Sequence, residues 1–268
     1  MALGIPIALP FRVHRAAFDP GTLFRNGEQG AWYDPSDMST LFQDAAGTTP
    51  VTALGQPVGR MLDKSGRGNH LTQTTAASRP LGQQHAAGAF HLAFDGVDDF
   101  LTIGTFNMSA SDKVTVCAGV RKLSDAAPGT LVELSASAIA NAGSFRFLAP
   151  EGAVGDYGFV TGGTFSGVLA RSPATFPSPI TSVLVGIGDI GGDVSRLRVN
   201  GAQVANTTDD QGTGNYGAAY PLFVGRRAGT TRPFNGNLHG LVIRGTGATT
   251  TQIAALERYM ARQTGIAL

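Results

Sequence analysis

Phe94-Asp95-Gly96-Val97-Asp98-Asp99-Phe100-Leu101-Thr102-Ile103 reads as two strands and the turn between them. Before the turn, Phe90, Leu92 and Phe94 alternate with His91 and Ala93, the two-residue period of a strand with one buried face. Asp95-Gly96 then reverses the chain, because aspartate bonds nearby backbone amides and glycine supplies positive φ. Residues 100–103 begin the next strand. This rhythm of short strands and sharp turns decides the fold class, and it continues outward. Further strands are expected at 114–121, 130–134, 144–148, 157–160, 165–170, 181–187, 195–199, 222–224 and 238–244. Such spacing, punctuated by Gly, Asp, Asn and Pro, predicts an all-β sandwich. Asn200-Gly201 between strand-like flanks is the strongest short hairpin signal in the chain. One helix is predicted over 250–264. Thr249 and Gln252 make a capping box, Ile253, Leu256, Tyr259 and Met260 follow at helical spacing, and Gly265 terminates it.

Composition supports one β-rich unit. The 268 residues include 37 glycines, about twice the average share of roughly 7%. Charged residues are only 15% and the net charge is +1, with no basic stripe. A nucleic-acid partner, which needs clustered cations to neutralise phosphates, is therefore not expected. No apolar run is long enough to predict a membrane-spanning helix. Cys117 is the single cysteine, lies in a strand-like stretch and reads as a buried small hydrophobe. A fold without disulfides suits a reducing cytosol.

The N-terminal part looks different. Residues 1–27 read as an extended arm in which apolar residues alternate with prolines. It can pack on its own domain or dock on a neighbouring subunit. Residues 28–88 read as a loop-rich lead-in lying on the sandwich, with one helical turn near residues 39–43 and Trp32 as its anchor. The sandwich proper is assigned to 89–268.

Two stretches carry a family resemblance. Phe94-Asp95-Gly96-Val97-Asp98-Asp99-Phe100 resembles the first core hairpin of concanavalin A-like, laminin-G-like domains. Pro221-Leu222-Phe223-Val224-Gly225 and Phe234-Asn235-Gly236-Asn237-Leu238 resemble their late strands. The resemblance implies a concanavalin A-like jelly-roll β-sandwich with an extended N-terminal arm and one C-terminal helix. Gly30-Ala31-Trp32-Tyr33-Asp34-Pro35-Ser36-Asp37 and Asp63-Lys64-Ser65-Gly66-Arg67-Gly68-Asn69-His70 are similar to a segment of tailed-bacteriophage and prophage virion proteins. That resemblance implies a virion structural protein: a tail, fibre or decoration component assembled in the host cytoplasm. Its partners would be other virion proteins, sister subunits (by analogy a trimer) and bacterial surface glycans. A stand-alone carbohydrate-binding module is the alternative.

The residues do not suggest catalysis. Glycosidases need two carboxyl groups flanking the scissile bond, and the four glutamates, Glu28, Glu133, Glu151 and Glu257, have no acidic neighbour at that spacing. Asp95, Asp98 and Asp99 are the best calcium candidates, yet they lack the ligand pattern of an EF-hand and read as turn caps, so no metal or cofactor is expected. His14, His70, His85, His91 and His239 do not pair at zinc-ligand spacing; His91 and His239 read as cross-strand partners or solvent-facing residues. A sugar would stack on an exposed ring, and Tyr157 and Tyr216, in glycine-rich surroundings, are the expected ligand-binding candidates.

Overall fold

The computed structural model describes residues 17–85, 88, 90–136, 141–165 and 167–268. The early strands are β1 (Gly30–Tyr33), β2 (Leu41–Phe42), β3 (Arg60–Met61), β4 (Leu71–Thr72) and β5 (Leu81–Gln84). Next come β6 (Phe90–Asp95), β7 (Leu101–Phe106), β8 (Lys113–Lys122), β9 (Thr130–Leu134), β10 (Ser144–Leu148), β11 (Gly158–Gly162) and β12 (Val168–Arg171). The chain ends with β13 (Ile180–Asp189), β14 (Val194–Val199), β15 (Ala202–Thr207), β16 (Tyr220–Val224), β17 (Asn235–Arg244) and helix α1 (Thr250–Thr264).

The strands form two sheets. One runs β15-β14-β13-β8-β17-β6-β5 with β1 beside β17; the other runs β12-β11-β10-β9-β16-β7-β4-β3-β2. All pairings are antiparallel. Inward side chains of both sheets make one core, including Phe94, Val116, Phe147, Phe159, Leu222 and Leu241. The outer face of the first sheet holds a second apolar layer, where Cys117, Val183, Val185 and Val242 meet Leu256, Tyr259 and Met260 of α1. Strand β8 is thus apolar on both faces, and its sequence runs Val-Thr-Val-Cys-Ala-Gly-Val rather than alternating cleanly. Cys117 is buried there, as expected.

The strands expected after residue 89 are present, most within one to three residues of their predicted ends. Asn200 and Gly201 adopt φ of 49° and 81°, the left-handed pair that joins β14 to β15 with the natural strand twist. Helix α1 spans the predicted residues. Thr249 Oγ1 accepts from Gln252 N at 3.2 Å, Gln252 Oε1 accepts from Thr249 N at 2.9 Å, and Gly265 is left-handed. Thr249→Ala is expected to cost about 1 kcal/mol, read as a lower urea midpoint with an unchanged slope.

The lead-in corrects an expectation. It is part of the sandwich core rather than a preface lying on it. Ala31, Tyr33, Leu41, Val51, Val58, Met61 and Leu71 lie in the same core cluster as Phe94 and Leu101. Strand β1 pairs with β17, setting Trp32 opposite Val242, and β2 to β4 extend the second sheet from β7. Strands of two to four residues are too short to show a period, so the segment reads as loops. The expected helical turn is a single 3-10 turn, Met38–Thr40, running directly into β2.

The lead-in stretches around Trp32 and Asp63 are tied together by side-chain contacts. Asp63 Oδ1 accepts from Trp32 N at 2.9 Å and Ser65 N at 2.8 Å, while its Oδ2 accepts from Ser65 Oγ at 2.7 Å and Asn69 N at 3.1 Å. Lys64 Nζ bridges Asp34 at 3.2 Å and Asp37 at 2.8 Å and sits 4.6 Å above the Trp32 ring. Tyr259 of α1 donates to Asp34 Oδ2 at 3.0 Å, and its ring meets the Trp32 edge. These side chains fasten β1 to the helix.

The arm expectation divides at residue 17. Asp19 caps the 3-10 turn Pro20–Phe24, and Leu23 and Phe24 are buried under α1, so this part packs on its own domain. The rest of the arm, residues 1–16, lies outside the described residues.

Candidate functional site

A cluster of arginines gathers on the outer face of the second sheet. Arg146 on β10 lies opposite Glu133 on β9, and Glu133 opposite Phe223 on β16, so all three project to the same side. The connection from β16 to β17 folds back over this face. Arg227 N and Thr231 O close its turn, and Thr130 N donates to Arg232 O at 2.8 Å. Ala228 N donates to Glu133 Oε2 at 2.8 Å, and Arg227 Nε stands 3.7 Å from Glu133 Oε1. Ala228 and Arg232 both have left-handed φ, 48° and 49°. Such strain costs about 1–3 kcal/mol per residue and persists where surrounding structure holds it.

The charge balance is lopsided. Glu133 is fully buried, and burial pushes its carboxyl above the ordinary range despite the Ala228 N–H and the nearby Arg146, Arg227 and Arg232. Arg146 is depressed first by burial and then by Arg227 and Arg232, with Glu133 and Glu151 opposing. Among the described residues, Glu133 Oε1, Arg226 Nε and Arg227 Nε are buried without a hydrogen-bond partner. Glu151 is drawn to Arg171 at 3.1 Å, leaving Glu133 as the carboxylate within three guanidinium groups. Planar guanidinium donors in excess over carboxylates suit an incoming carboxylate or sulfate.

The comparisons with known proteins agree with this architecture. A family model described as the concanavalin A-like lectin/glucanases superfamily matches residues 95–254, beginning at the Asp95-Gly96 turn. The chain belongs to the concanavalin A-like lectin/glucanases superfamily. No curated protein sequence matches it. Among solved structures, the binding domain of botulinum neurotoxin DC in complex with SialylT is similar at 11% identity and a TM-score of 0.55, covering 85% of this chain and 52% of that one. A heptameric SAP-like pentraxin from Limulus polyphemus shares 13% identity with a TM-score of 0.49, over 60% and 78% of the two chains. The Ruminococcus gnavus IT-sialidase CBM40 bound to α2,3-sialyllactose shares 16%, with a TM-score of 0.45, over 56% and 84%. These likenesses are of fold.

Within this lectin-like chain the expected sugar-stacking rings are in the wrong place. Tyr157 and Tyr216 are 0% and 1% exposed. Tyr157 donates to Ser182 Oγ at 3.0 Å beneath Lys122, and Tyr216 shares a hydroxyl contact with Thr161 and sets its edge on Phe145. Burial raises both phenol pKa values. Neither ring face can stack on a sugar. Glycine-rich flanks mark a close backbone approach as readily as a surface loop, and here they mark the former. Among the described aromatic residues the most exposed is Phe165, at 59%, on a loop held to residues 211–213 by Phe165 N to Gln211 O and Thr164 N to Thr213 O. The arginine cluster was missed because its members lie far apart in sequence.

The remaining candidates behave as turn and packing residues. Asp95, Asp98 and Asp99 bring carboxylate oxygens within 4.8 Å of one another. Each accepts a hydrogen bond: Asp95 from Val97 N at 2.7 Å and Asp99 from Asp95 N at 3.0 Å within the turn, and Asp98 from Ser78 Oγ of the lead-in at 2.7 Å. Burial lifts Asp99 to about 6. His91 and His239 are buried ring neighbours with centroids 5.0 Å apart, so the cross-strand expectation holds and the solvent-facing one does not. Burial, with His91, His85 and Arg121 nearby, lowers His239 to about 3. His70 Nδ1 accepts from Asp63 N at 3.0 Å, and His85 Nε2 contacts Arg121 at 3.2 Å. His14 lies outside the described residues.

Proposed function

We propose that this chain is a non-enzymatic binding module of a bacteriophage virion, and that Arg146, Arg227 and Arg232 hold an acidic group of a surface glycan. The observation that carries the binding role is the surplus of guanidinium groups around one buried carboxylate. A neutral sugar would leave that charge uncompensated; a uronate, sialate or sulfate would pair with it bidentately. The non-enzymatic reading is supported by the glutamates, each of which lies with an arginine: Glu28 with Arg244, Glu151 with Arg171, Glu257 with Arg198 and Glu133 in the cluster. The virion assignment, with tail, fibre or decoration placement and a trimeric assembly, draws on the lead-in motif around Trp32, Asp34, Asp63 and Lys64.

The binding test uses the full chain on a glycan array carrying acidic oligosaccharides beside their neutral counterparts. Acidic members are expected to bind and neutral ones to fail. Arg146→Gln and Arg227→Gln are each expected to weaken binding by about 10- to 100-fold, the loss of one charged hydrogen bond. Equal binding to neutral glycans, or variants that bind as well as the parent, sinks the anion site. Release of reducing sugar from a bound polysaccharide would overturn the non-enzymatic reading. Immunogold labelling of particles released by the source cells tests the virion role, and unlabelled particles speak against it.

A further inference from the structure

Glu133 is fully buried, yet only one of its oxygens is satisfied. Oε2 accepts from Ala228 N at 2.8 Å, while Oε1 is buried without a hydrogen-bond partner, 3.7 Å from Arg227 Nε. Across the sheet its neighbours are Arg146 on one side and Phe223 on the other. Beyond Arg146 the row continues to Val160, which is 6% exposed. Phe223 packs on Phe100, and a Cβ on Gly229 of the overlying loop would meet the Phe100 and Phe223 rings at 3.1 and 3.4 Å. Apolar surface therefore borders the charges along the row, and charge interactions are stronger there than in water.

One N–H bond and the pull of Arg146, Arg227 and Arg232 are what favour the charged carboxylate against its burial. Other charges nearby are already engaged. Arg226 donates to Thr230 O at 2.9 Å, and Arg171 holds both Glu151, at 3.1 Å, and Asp156, at 2.6 Å. An anion that draws Arg146 and Arg227 to itself weakens their pull on Glu133 and sets a like charge beside it. Both effects favour the neutral carboxyl. We propose, building on the acidic-ligand reading of this cluster, that Glu133 binds one proton as the anion enters and so sets how tightly the site holds acidic glycans at each pH.

The proton comes from solvent and goes to Oε1, the oxygen without a partner, while Oε2 keeps the Ala228 N–H. One negative charge arrives and one is neutralised, so the three guanidinium groups still face a single negative charge. The coupling is reciprocal: acid tightens anion binding, and a bound anion raises the proton affinity of Glu133. Burial already lifts Glu133 above the ordinary carboxyl range without ligand, and the anion lifts it further. Affinity is therefore lowest well above both values. It rises as pH falls between them, by at most about tenfold per pH unit for one proton, and levels off below the lower one.

Calorimetric titration of the full chain with a sulfated disaccharide tests this, because a sulfate ester keeps its charge across the range. From about pH 8 to about pH 5 the affinity is expected to rise at least about fivefold. The heats are expected to differ between buffers of different ionisation enthalpy as a proton is taken up. Glu133→Gln keeps an oxygen for the Ala228 N–H and is expected to hold the probe equally at both pH values, with no proton uptake. In the parent, affinity and heats that ignore pH and buffer overturn the coupling and leave the anion site standing, whereas no binding at either pH overturns both. A pH dependence that survives in Glu133→Gln assigns the proton elsewhere and overturns the proposal. If the variant does not fold, the parent alone decides. Adding the probe is expected to bring up the infrared carbonyl band of a buried carboxylic acid, and its absence refutes proton uptake by Glu133.

Discussion

Gly225→Ala is expected to cost about 2–6 kcal/mol and to leave the domain largely unfolded at modest urea. Gly225 follows β16 at the crossing of the two motifs that carry the family resemblance. Its φ is +96°, and a Cβ there would lie 2.3 Å from the Phe94 ring and 3.1 Å from Asp99 O. Phe94 cannot yield, because it is 2% exposed and its ring is set against Phe234 with centroids 6.0 Å apart. The backbone cannot yield either. Gly225 N donates to Leu131 O at 2.9 Å, and Gly225 O accepts from Phe234 N at 2.8 Å. Positive φ costs an alanine about 1–3 kcal/mol, and overpacking a filled core adds about 1–3 kcal/mol. Against a typical domain stability of about 5–15 kcal/mol, the sum is decisive. Trp32, the single tryptophan, reports the transition by fluorescence. A midpoint shift worth less than about 1 kcal/mol would refute the account.

Asp125→Ala is expected to cost about 3–5 kcal/mol, because it strands a buried charge. Lys122 is 0% exposed, with Nζ 2.5 Å from Asp125 Oδ1 and 4.7 Å from the Tyr157 ring centroid. Asp125 also accepts from Ser178 N at 2.6 Å. Removing both ionic partners, with Lys122→Met and Asp125→Ala together, is expected to recover most of the loss, since an apolar side chain suits the enclosure. A double variant as unstable as Asp125→Ala would show that the charge was not the cause. The pH dependence has a definite sign. Burial pushes the Asp125 carboxyl up, but Lys122 and the Ser178 N–H outweigh it and hold the pKa below the ordinary value. The stabilisation is therefore full above the unfolded carboxyl pKa of about 3.9 and is lost as pH falls through the lower folded value. Acid titration of the parent is expected to show this loss, and the double variant is expected to lack that share of it.

Much of the sandwich was legible because its central strands are long enough to show a period. Residues 90–95, 130–134 and 144–148 alternate or run apolar between unambiguous turns, and α1 carries both of its caps in local sequence. The lead-in was illegible for the opposite reason. Strands β2 to β4 are two residues each, and their burial comes from β7 and the sheet edge rather than from any pattern of their own. Site reading failed for a third reason. Tyr157 and Tyr216 sit among glycines that let other backbone approach closely, so the same residues that suggest a surface loop enclose the rings.

By itself, then, the sequence determined the alternating strands, the Asp95-Gly96 and Asn200-Gly201 turns, the capped helix and the burial of Cys117. Each follows from neighbours within a few residues, where dihedral preference and side-chain period act directly. Only the tertiary structure decided that Trp32, Asp34 and Lys64 fasten the lead-in to α1, that Tyr157 and Tyr216 face inward, and that Glu133, Arg146, Arg227 and Arg232 meet on one face. Those outcomes depend on which strands pair across about a hundred residues of chain, and electrostatic surplus exists only after that pairing has brought the charges together.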